Sequence, residues 1–327
     1  MNDVYIKLSA GHRLSVSEAE LLMLRLCGQQ FNEPQTAFIL GLFKTRALDL
    51  NELAGFRNAL MQLCVPVSLF KPSIDVCGTG GDNKNTFNIS TLSAFVLAAS
   101  GIPVAKHGNF ASTSVAGSSD ILKFFGYEFK TREAELNDDL DKNNLCILHA
   151  PNFHPALKNL VPVRKGLKTS TLFNLMGPLV NPAQTEFKYV GVFNRSVARL
   201  YNFFLQTGTT RYTLVHSLDG YDEISLTSDV FVATNNSERL LALDELPFKG
   251  IKPEEICAGN SVEDAAKIFV AVLKDEATEA QKNVVLLNSA FAMQCYTGNS
   301  LDDCIASCTE SIESQKAYQL FNMIIQN

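Results

Sequence analysis

The sequence lacks several patterns that would assign it to a familiar class of protein. Its eight cysteines include no C-x-x-C pair, so neither a zinc ligand set nor a redox dithiol is indicated. No apolar run reaches the ~20 residues that a membrane helix needs. The first fifteen residues, MNDVYIKLSAGHRLS, lack the basic-then-apolar form of a signal peptide. We therefore expect scattered buried thiols, no association with a membrane and a reducing, cytoplasmic location.

Excess positive charge is also absent. The chain has 28 basic and 34 acidic residues and a net charge of −6, which argues against binding to nucleic acid or to an anionic membrane. Hydrophobic residues make up 46% and charged residues 19%, as in a globular protein. A length of 327 residues predicts two domains, each able to bury a core. An anionic ligand would need a local positive site on this acidic protein.

The first 66 residues carry the signals of short amphipathic helices and no strand pattern. Capping sequences occur at Ser15-x-x-Glu18, at Asn32-Glu33-Pro34 and at Asp49-x-x-Glu52, each followed by apolar residues at helical spacing. Helices this short make only a small core. We expect a helical domain that packs against the rest of the chain or against a second copy of it.

From Ser73 onward the pattern changes to strands that alternate with helices, which predicts a parallel α/β sheet. The strand candidates are residues 74–77, 102–105, 145–148, 189–193 and 212–216. A long helical stretch at 155–182 interrupts the alternation, and helices at 262–273, 279–293 and 301–325 end the chain. Ligands of such sheets bind outside the carboxyl ends of the strands.

The stretch from Asp75 to Asn109 holds the parts of an anion site. Three glycines in Gly78-Thr79-Gly80-Gly81-Asp82 follow a strand and leave backbone N–H groups uncovered. Ser90 and Thr91 are N-cap types that open an apolar helix, whose first turn presents free N–H groups. A basic loop, Lys106-His107-Gly108-Asn109, follows the next strand. We interpret this combination as a site for a phosphorylated sugar.

The glycine loop alone is weak evidence, because many strand-to-helix turns carry glycine for packing. Neither G-K-[ST] nor G-x-G-x-x-G is present, so the nucleotide fingerprints do not fit. Hydroxyl-rich segments close by strengthen the interpretation as an anion site: Ser112-Thr113-Ser114 and Ser118-Ser119.

Six strings occur in order between Asp75 and Ser225: DVCGTGGD, TFNIST, KHGN, VRKGL, NLMGPLVNP and DGYDEIS. Together they resemble the anthranilate phosphoribosyltransferase family. The resemblance implies the fold of class II nucleoside phosphorylases, with a small all-helical N-terminal domain (1–70, with a returning segment at about 166–182) on a large α/β domain (71–327) with a mostly parallel sheet. It also implies a homodimer through the helical domain. The implied reaction transfers phosphoribose from phosphoribosyl pyrophosphate to the amine of anthranilate, with Mg²⁺.

The resemblance also implies which residues bind. Phosphoribosyl pyrophosphate would contact Gly78, Gly81, Asp82, Thr86, Asn88, Ile89, Ser90, Thr91, Lys106, His107, Gly108, Asn109, Ser112, Thr113, Ser114 and Ser118. Mg²⁺ would be held by the Ser90 hydroxyl and the Asp222 and Glu223 carboxylates, whose hard oxygens suit this ion. Taken alone, an Asp-Glu pair on a loop is usually surface decoration, and Lys106-His107 would be a solvated loop.

The acceptor side rests on Arg164, which resembles the arginine that receives the anthranilate carboxylate, since a planar guanidinium suits bidentate binding. The alternative for Arg164 is a structural ion pair in a helix kink. Asn109 and Gly78 would complete the acceptor pocket. An aniline-type amine is already neutral at pH 7, so no strong base is required, and His107 is expected to position the amine or to accept its proton.

The sequence departs from the family pattern at four places. Phe110 stands where Arg is frequent, which removes a possible phosphate contact; Val115-Ala116 replaces a more polar pair, Gly166 replaces Glu, and Tyr221 replaces Leu. Two other functions stay open: a pyrimidine nucleoside phosphorylase, and a non-enzymatic homologue that binds nucleic acid. Pyrimidine nucleoside phosphorylases are longer and do not need the Asp-Glu pair. A homologue that binds nucleic acid should be basic and should lack the magnesium residues.

Overall fold

The computed structural model of the protein describes residues 2–111 and 114–326. It begins with four helices: α1 (Asn2–Ser9), α2 (Val16–Cys27), α3 (Glu33–Thr45) and α4 (Leu50–Leu63). Ser15, Asn32 and Asp49 are the N-caps of α2, α3 and α4, and each forms a reciprocal capping box. The three predicted helix starts are therefore confirmed, because capping is decided by residues that are close in sequence.

A seven-stranded sheet follows, with the order β3-β2-β1-β4-β5-β6-β7. Its strands are β1 (Ile74–Gly78), β2 (Val104–Gly108), β3 (Leu145–His149), β4 (Phe187–Gly191), β5 (Arg211–Ser217), β6 (Val230–Thr234) and β7 (Glu238–Leu241). The strands β1 to β5 are parallel, and β6 and β7 are added antiparallel at one edge. All five predicted strands are present with shifted ends, and the fold class is confirmed.

The remaining helices are α5 (Ile89–Ala99), α6 (Ser118–Phe124), α7 (Glu133–Asn143), α8 (Ala150–Phe153), α9 (Val161–Leu167), α10 (Arg195–Gln206), α11 (Val262–Leu273), α12 (Glu279–Thr297), α13 (Leu301–Glu313) and α14 (Lys316–Gln326). The single helix expected over 301–325 is wrong. The chain breaks between α13 and α14, where Gln315 adopts a left-handed φ of 59°. Within residues 2–111 and 114–326, none of the helices combines the length and the apolar character needed to cross a bilayer.

The stretch 155–182, expected to be a long helical segment, is broken into short pieces. It contains 3₁₀ turns at Pro155–Leu160, Leu172–Leu175 and Gly177–Leu179, with α9 between the first two. Its apolar side chains join the core of the N-terminal helices, and they include Leu160, Leu172, Phe173, Met176 and Leu179. The segment therefore connects the helical part of the molecule to the sheet.

Two large apolar cores lie on opposite faces of the sheet, because successive strand residues alternate between faces. One core packs Val76 and Tyr189 against α5 and the C-terminal helices. The other packs Val190 and Leu214 against α10, the N-terminal helices and the 172–180 segment. With both faces covered, the loops at the carboxyl ends of β1, β2, β4 and β5 are left to form a site.

Candidate active site

The glycine loop after β1 takes a backbone path that few residues allow. Gly80 and Gly81 have φ values of 63° and 77°, and Asn83 and Asn85 follow with 59° and 52°. Four left-handed residues in six positions wind the loop tightly. Gly78 has a different role, because a Cβ there would lie 2.3 Å from Oδ2 of Asp222. The glycines thus bring bare backbone and a carboxylate together.

Segments that are distant along the chain brace this loop. The Asn85 amide donates to the carbonyl of Gly259 at 2.9 Å and accepts from the N–H of Val115 at 3.1 Å. Thr86 forms a β-bridge with Cys257. Asn85 carries no sequence signal for this role, because its partners are far away along the chain.

The start of α5 differs from the prediction in one respect. The N-cap position is Asn88 and not Ser90 or Thr91, which lie in the first turn. Asn88 makes no capping bond and instead donates to the carbonyl of Ala116 at 3.0 Å. The Ile89 side chain is buried in the apolar core, so only its backbone can face a ligand. The hydroxyl of Thr91 is buried without a hydrogen-bond partner among the described residues.

Lys106 and His107 lie on β2 itself, and both side chains are buried. The Lys106 ammonium donates to the carbonyl of Val76 at 2.6 Å and to the Ser90 hydroxyl at 3.3 Å. A buried ammonium held beside the start of α5 is not a solvated loop, so that alternative is excluded. It provides the local positive charge that an acidic protein needs to bind an anion.

His107 is held from two sides. Its backbone N–H donates to Oδ1 of Asp75 at 3.1 Å, and its Nδ1 lies 3.1 Å from the carbonyl of Gly177. Burial, and next the neighbouring ring of His154, lower the pKa of His107 to about 3. Because a carbonyl can only accept, the neutral ring carries its proton on Nδ1. Its Nε2 is then a buried acceptor with no partner in the described chain.

The loop after β2 is closed by its own polar groups. The N–H of Asn109 donates to the Ser118 hydroxyl at 3.1 Å, and Oδ2 of Asp120 accepts from the N–H groups of Ala111 and Gly117 at 2.7 and 2.8 Å. Gly108 lies against Ser118, since a Cβ there would be 2.5 Å from its Oγ. The Ser118 hydroxyl therefore already has a structural role in shaping this loop.

Other predicted residues of this loop are less informative. Ser112 and Thr113 lie outside the described residues, and the Ser114 hydroxyl donates to the carbonyl of Ala116 at 3.4 Å. Phe110, which replaces the frequent arginine, packs edge-on against the ring of His149 at 4.9 Å.

Asp222 and Glu223, in the loop after β5, are buried and poorly compensated. Oδ2 of Asp222 accepts one N–H bond, from Gly80 at 2.7 Å. Burial, and next the charge of Asp82, raise the pKa of Asp222 to about 7. Burial, and next Asp222, raise the pKa of Glu223 well above its usual range, against the opposing effects of Lys106 and of the Ser90 N–H. The pair is therefore not surface decoration.

These carboxylates fit a divalent cation. In the described ranges no group of three or more His, Cys, Asp or Glu side chains is arranged to hold a metal ion. Two buried carboxyl groups beside Ser90 form a smaller set of hard oxygen donors, and their raised pKa values show that little in the protein itself stabilises their ionised form. Mg²⁺ is commonly held by one or two carboxylates together with substrate phosphates and water. The donor set suits that mode of binding.

Arg164 lies on α9. Its guanidinium carbon is 5.0 Å from the ring centre of Phe173, and burial lowers its pKa. Within residues 2–111 and 114–326 it has no carboxylate partner, so the alternative of a structural ion pair is not supported. The structure therefore leaves a guanidinium available on the helical side of the molecule.

The predicted residues thus form three groups. Gly78 and Asp222 meet at the glycine loop, Lys106 and Ser90 meet beside Glu223, and Asn109 meets Ser118. None of the contacts of Arg164 in the described chain is to another predicted site residue.

A family model described as "Glycosyl transferase family, a/b domain" matches residues 71–318. This places the α/β part of the chain, with its glycine loop and buried lysine, among glycosyltransferases.

Similar proteins define the family more narrowly. Anthranilate phosphoribosyltransferase from Cytophaga hutchinsonii is 44% identical over the full length of both chains, and that from Bacteroides fragilis (strain YCH46) is 43% identical over 100% of this chain and 99% of its own. The crystal structure of the enzyme from Thermus thermophilus is similar with a TM-score of 0.90 and 30% identity, covering 99% of this chain and 98% of that one. The chain belongs to the anthranilate phosphoribosyltransferase family, which confirms the resemblance.

A more distant solved structure agrees on the fold. Anthranilate phosphoribosyltransferase from Saccharomyces cerevisiae, solved in complex with PRPP and Mg, has a TM-score of 0.85 at 24% identity and covers 95% of this chain and 92% of its own.

Proposed function

We propose that this protein transfers the phosphoribosyl group of phosphoribosyl pyrophosphate to the amine of anthranilate. The products are N-(5-phosphoribosyl)anthranilate and pyrophosphate, in the second step of tryptophan biosynthesis. Membership of the family supports this activity. The observation that carries it in the structure is the meeting of a bare glycine loop, a buried ammonium and two uncompensated buried carboxylates at one edge of the sheet.

The glycine loop and the start of α5 bind the sugar diphosphate. Gly78 and Gly81 allow phosphate oxygens to approach backbone N–H groups, and Lys106 adds a fixed charge held by the carbonyl of Val76. The unpartnered hydroxyl of Thr91 is available to donate to a phosphate oxygen. Because these groups are already in place, little reorganisation is needed when the ligand binds.

Asp222, Glu223 and Ser90 would hold Mg²⁺, in line with the yeast protein, whose structure was solved in complex with PRPP and Mg. When bound, the ion supplies positive charge that stabilises the departing pyrophosphate. The chain itself fixes the carboxylates: Gly78 makes room for Asp222, and the N–H of Gly80 orients it.

Arg164 binds the carboxylate of anthranilate, and His107 positions its amine. The bond from ribose C1 to the pyrophosphate oxygen breaks as the amine nitrogen bonds to C1, and the nitrogen then loses one proton to water. The neutral Nε2 of His107 accepts a hydrogen bond from the amine and so directs its lone pair. The planar guanidinium of Arg164, backed by the ring of Phe173, suits a bidentate pair with the carboxylate.

The fluorescence of anthranilate tests the activity. It should fall only when phosphoribosyl pyrophosphate and Mg²⁺ are both present, and each omission is a control. Phosphorolysis of a pyrimidine nucleoside, or no reaction together with binding of nucleic acid, would replace the proposal with one of the two alternatives named earlier.

We also propose that two copies associate through the helical domain, taken as residues 1–70 with the returning segment at 166–182. Ile6 on α1 and Phe38 on α3 are 65% and 47% exposed, and Tyr5 stacks on Phe38 at 5.6 Å. Burying these side chains in a symmetric contact would remove apolar area from water. Light scattering should give a dimer for the native chain and a monomer for Ile6→Glu/Phe38→Glu. Phe203→Glu on α10, at a position that is 51% exposed, is the matched control.

A further inference from the structure

Two buried ionisable side chains, one acidic and one basic, have no assigned role so far. Asp75 on β1 and Lys188 on β4 face each other in register on adjacent parallel strands. Their side chains are only 2% and 7% exposed. Desolvation of two such charges is costly, and their mutual attraction often does no more than balance that cost. A buried pair of this kind therefore needs an explanation beyond stability.

Asp75 and Lys188 both form hydrogen bonds to the main chain at or near His107. Oδ1 of Asp75 accepts the backbone N–H of His107 at 3.1 Å. Nζ of Lys188 donates to the carbonyl of Pro178 at 3.2 Å. The preceding carbonyl, that of Gly177, is the one that receives Nδ1 of His107. The pair therefore fixes the main chain of the histidine on one side and its carbonyl partner on the other.

Two further hydrogen bonds hold the residues that follow Gly177 and Pro178. Nε2 of His154 lies 2.8 Å from the carbonyl of Val180, and the amide of Asn181 donates to the carbonyl of Ala105 at 2.9 Å. Lys188 is the only one of these groups that brings a charge to the turn, and Asp75 is the acid nearest to it in the sheet register. The segment 177–181 is thus pinned to β2 and β4 by polar side chains.

We propose that Asp75 and Lys188 are positioning residues for the acceptor substrate: they fix the 177–178 turn and the backbone of His107 so that the imidazole presents Nε2 to the amine of anthranilate. The proposal rests on the role given to His107 in the proposed function. Lys106 and His107 are neighbours on a strand and point to opposite faces of the sheet. The effect of the pair should therefore fall on anthranilate and leave the sugar diphosphate largely unaffected.

Steady-state kinetics of Lys188→Met tests this inference. The variant keeps the length of the side chain and loses the ammonium. We expect the KM for anthranilate to rise about tenfold and the KM for phosphoribosyl pyrophosphate to change less than about twofold, since small misplacements of a positioning group are costly. Lys282→Met is the control, because Lys282 pairs with Asp275 and Glu313 away from the site. Equal changes in both KM values, or no change in either, would overturn the proposal.

A second measurement keeps the inference testable without turnover. ¹⁵N NMR of the ligand-free protein should show the Nδ1-protonated form of His107 in the native chain and a mixture of tautomers in Lys188→Met. An unchanged tautomer would overturn the positioning role even if the enzyme acted on another acceptor. Failure of the native chain to consume anthranilate would instead refute the proposed function. If Lys188→Met does not fold, Asp75→Asn/Lys188→Met, which removes both charges, is measured in the same two ways.

Discussion

Two buried carboxyl groups in this molecule have pKa values that are shifted in opposite directions. Glu52, on α4, is fully buried, yet its carboxylate receives two hydrogen bonds from Arg46 at 2.6 and 2.7 Å and one from the N–H of Leu14 at 3.0 Å. Burial alone would raise the pKa of Glu52, but these donors hold it below its usual value. At the carboxyl edge of the sheet, Asp222 receives one N–H bond and its pKa rises to about 7.

The difference separates a structural carboxylate from one arranged to bind. A buried acid whose oxygens are all satisfied stabilises the fold and has no capacity left for a ligand. A buried acid with few donors destabilises the empty protein and gains most when a cation arrives. Burial is common to both sites, so the number of donors is the informative quantity.

The largest effect is expected for Asp222→Asn/Glu223→Gln. Magnesium-dependent turnover, followed by anthranilate fluorescence, should fall by about 1,000-fold, because charge stabilisation of a leaving group is commonly worth that much. The free energy of unfolding of the metal-free protein at pH 7 should not fall, because two buried acids whose raised pKa values destabilise the folded state are removed. Full activity of this double variant would refute the metal assignment.

Glu52→Gln should have the reverse effect: a loss of stability without a loss of activity. Removing one partner of a buried ion pair leaves Arg46 uncompensated and should lower the free energy of unfolding by about 3 kcal/mol, measured by urea denaturation at pH 7. The KM values should stay unchanged. A KM shift without loss of stability would contradict the structural role.

The pH dependence of stability sharpens the same contrast. The pKa of Glu52 is lower in the folded protein than in the unfolded chain, where it is ~4.3. The ionised side chain therefore stabilises the folded state above pH ~4.3, and this stabilisation is lost as the pH falls through the pKa of the folded state. Native protein should therefore lose more stability than Glu52→Gln between pH 5 and pH 3. Parallel curves for the two proteins would show that Glu52 contributes nothing.

Arg164→Ala should raise the KM for anthranilate by about 30-fold, equivalent to about 2 kcal/mol for a charge-assisted pair. The KM for phosphoribosyl pyrophosphate should change less than about twofold. Lys165→Ala is the matched control, since Lys165 is the exposed neighbour on the same helix. Equal losses for both substrates would remove the acceptor role from Arg164.

The smallest effect concerns the charge state of His107. With a pKa of about 3, its imidazole should stay neutral, and its ¹⁵N shifts should be constant from pH 8 to pH 5. In the unfolded chain a histidine takes up a proton near pH 6.5. Below pH 6.5 the native state therefore binds fewer protons than the unfolded state, so this residue should lower the free energy of unfolding as the pH falls. A titration near pH 6.5 in the folded protein would contradict the burial argument.

Local features of the fold were predictable from the sequence. The caps Ser15, Asn32 and Asp49 act on residues three positions away, and short apolar runs located β1 to β5, although the observed ends of these strands are shifted. The antiparallel strands β6 and β7 were not predicted. β7 is a short, mostly exposed edge strand that is defined by its pairing with β6, whereas β6 is a buried apolar run that the sequence could have revealed. The breaks at Lys168 and Gln315 arise from left-handed residues that are neither glycine nor proline, so sequence gives no sign of them.

In the candidate site, too, local motifs were predictable and long-range contacts were not. Gly78, Lys106 and Asp222 were found from motifs, but the contacts that explain them are long-range. The brace between Asn85 and Gly259 joins residues that are 174 positions apart, and the facing of Asp75 and Lys188 depends on the pairing of β1 with β4. Such contacts are properties of the folded chain and have no local pattern.

Gly191, at the end of β4, has a consequence for any effort to alter this enzyme. A single methyl group there would coincide with the main-chain carbonyl of Asp222, at 1.6 Å. An alanine at this position would push the whole acidic loop outward, although it would introduce no charge and touch no substrate. Libraries that vary the enzyme should keep this residue fixed, and a random screen should find it as intolerant as the carboxylates themselves.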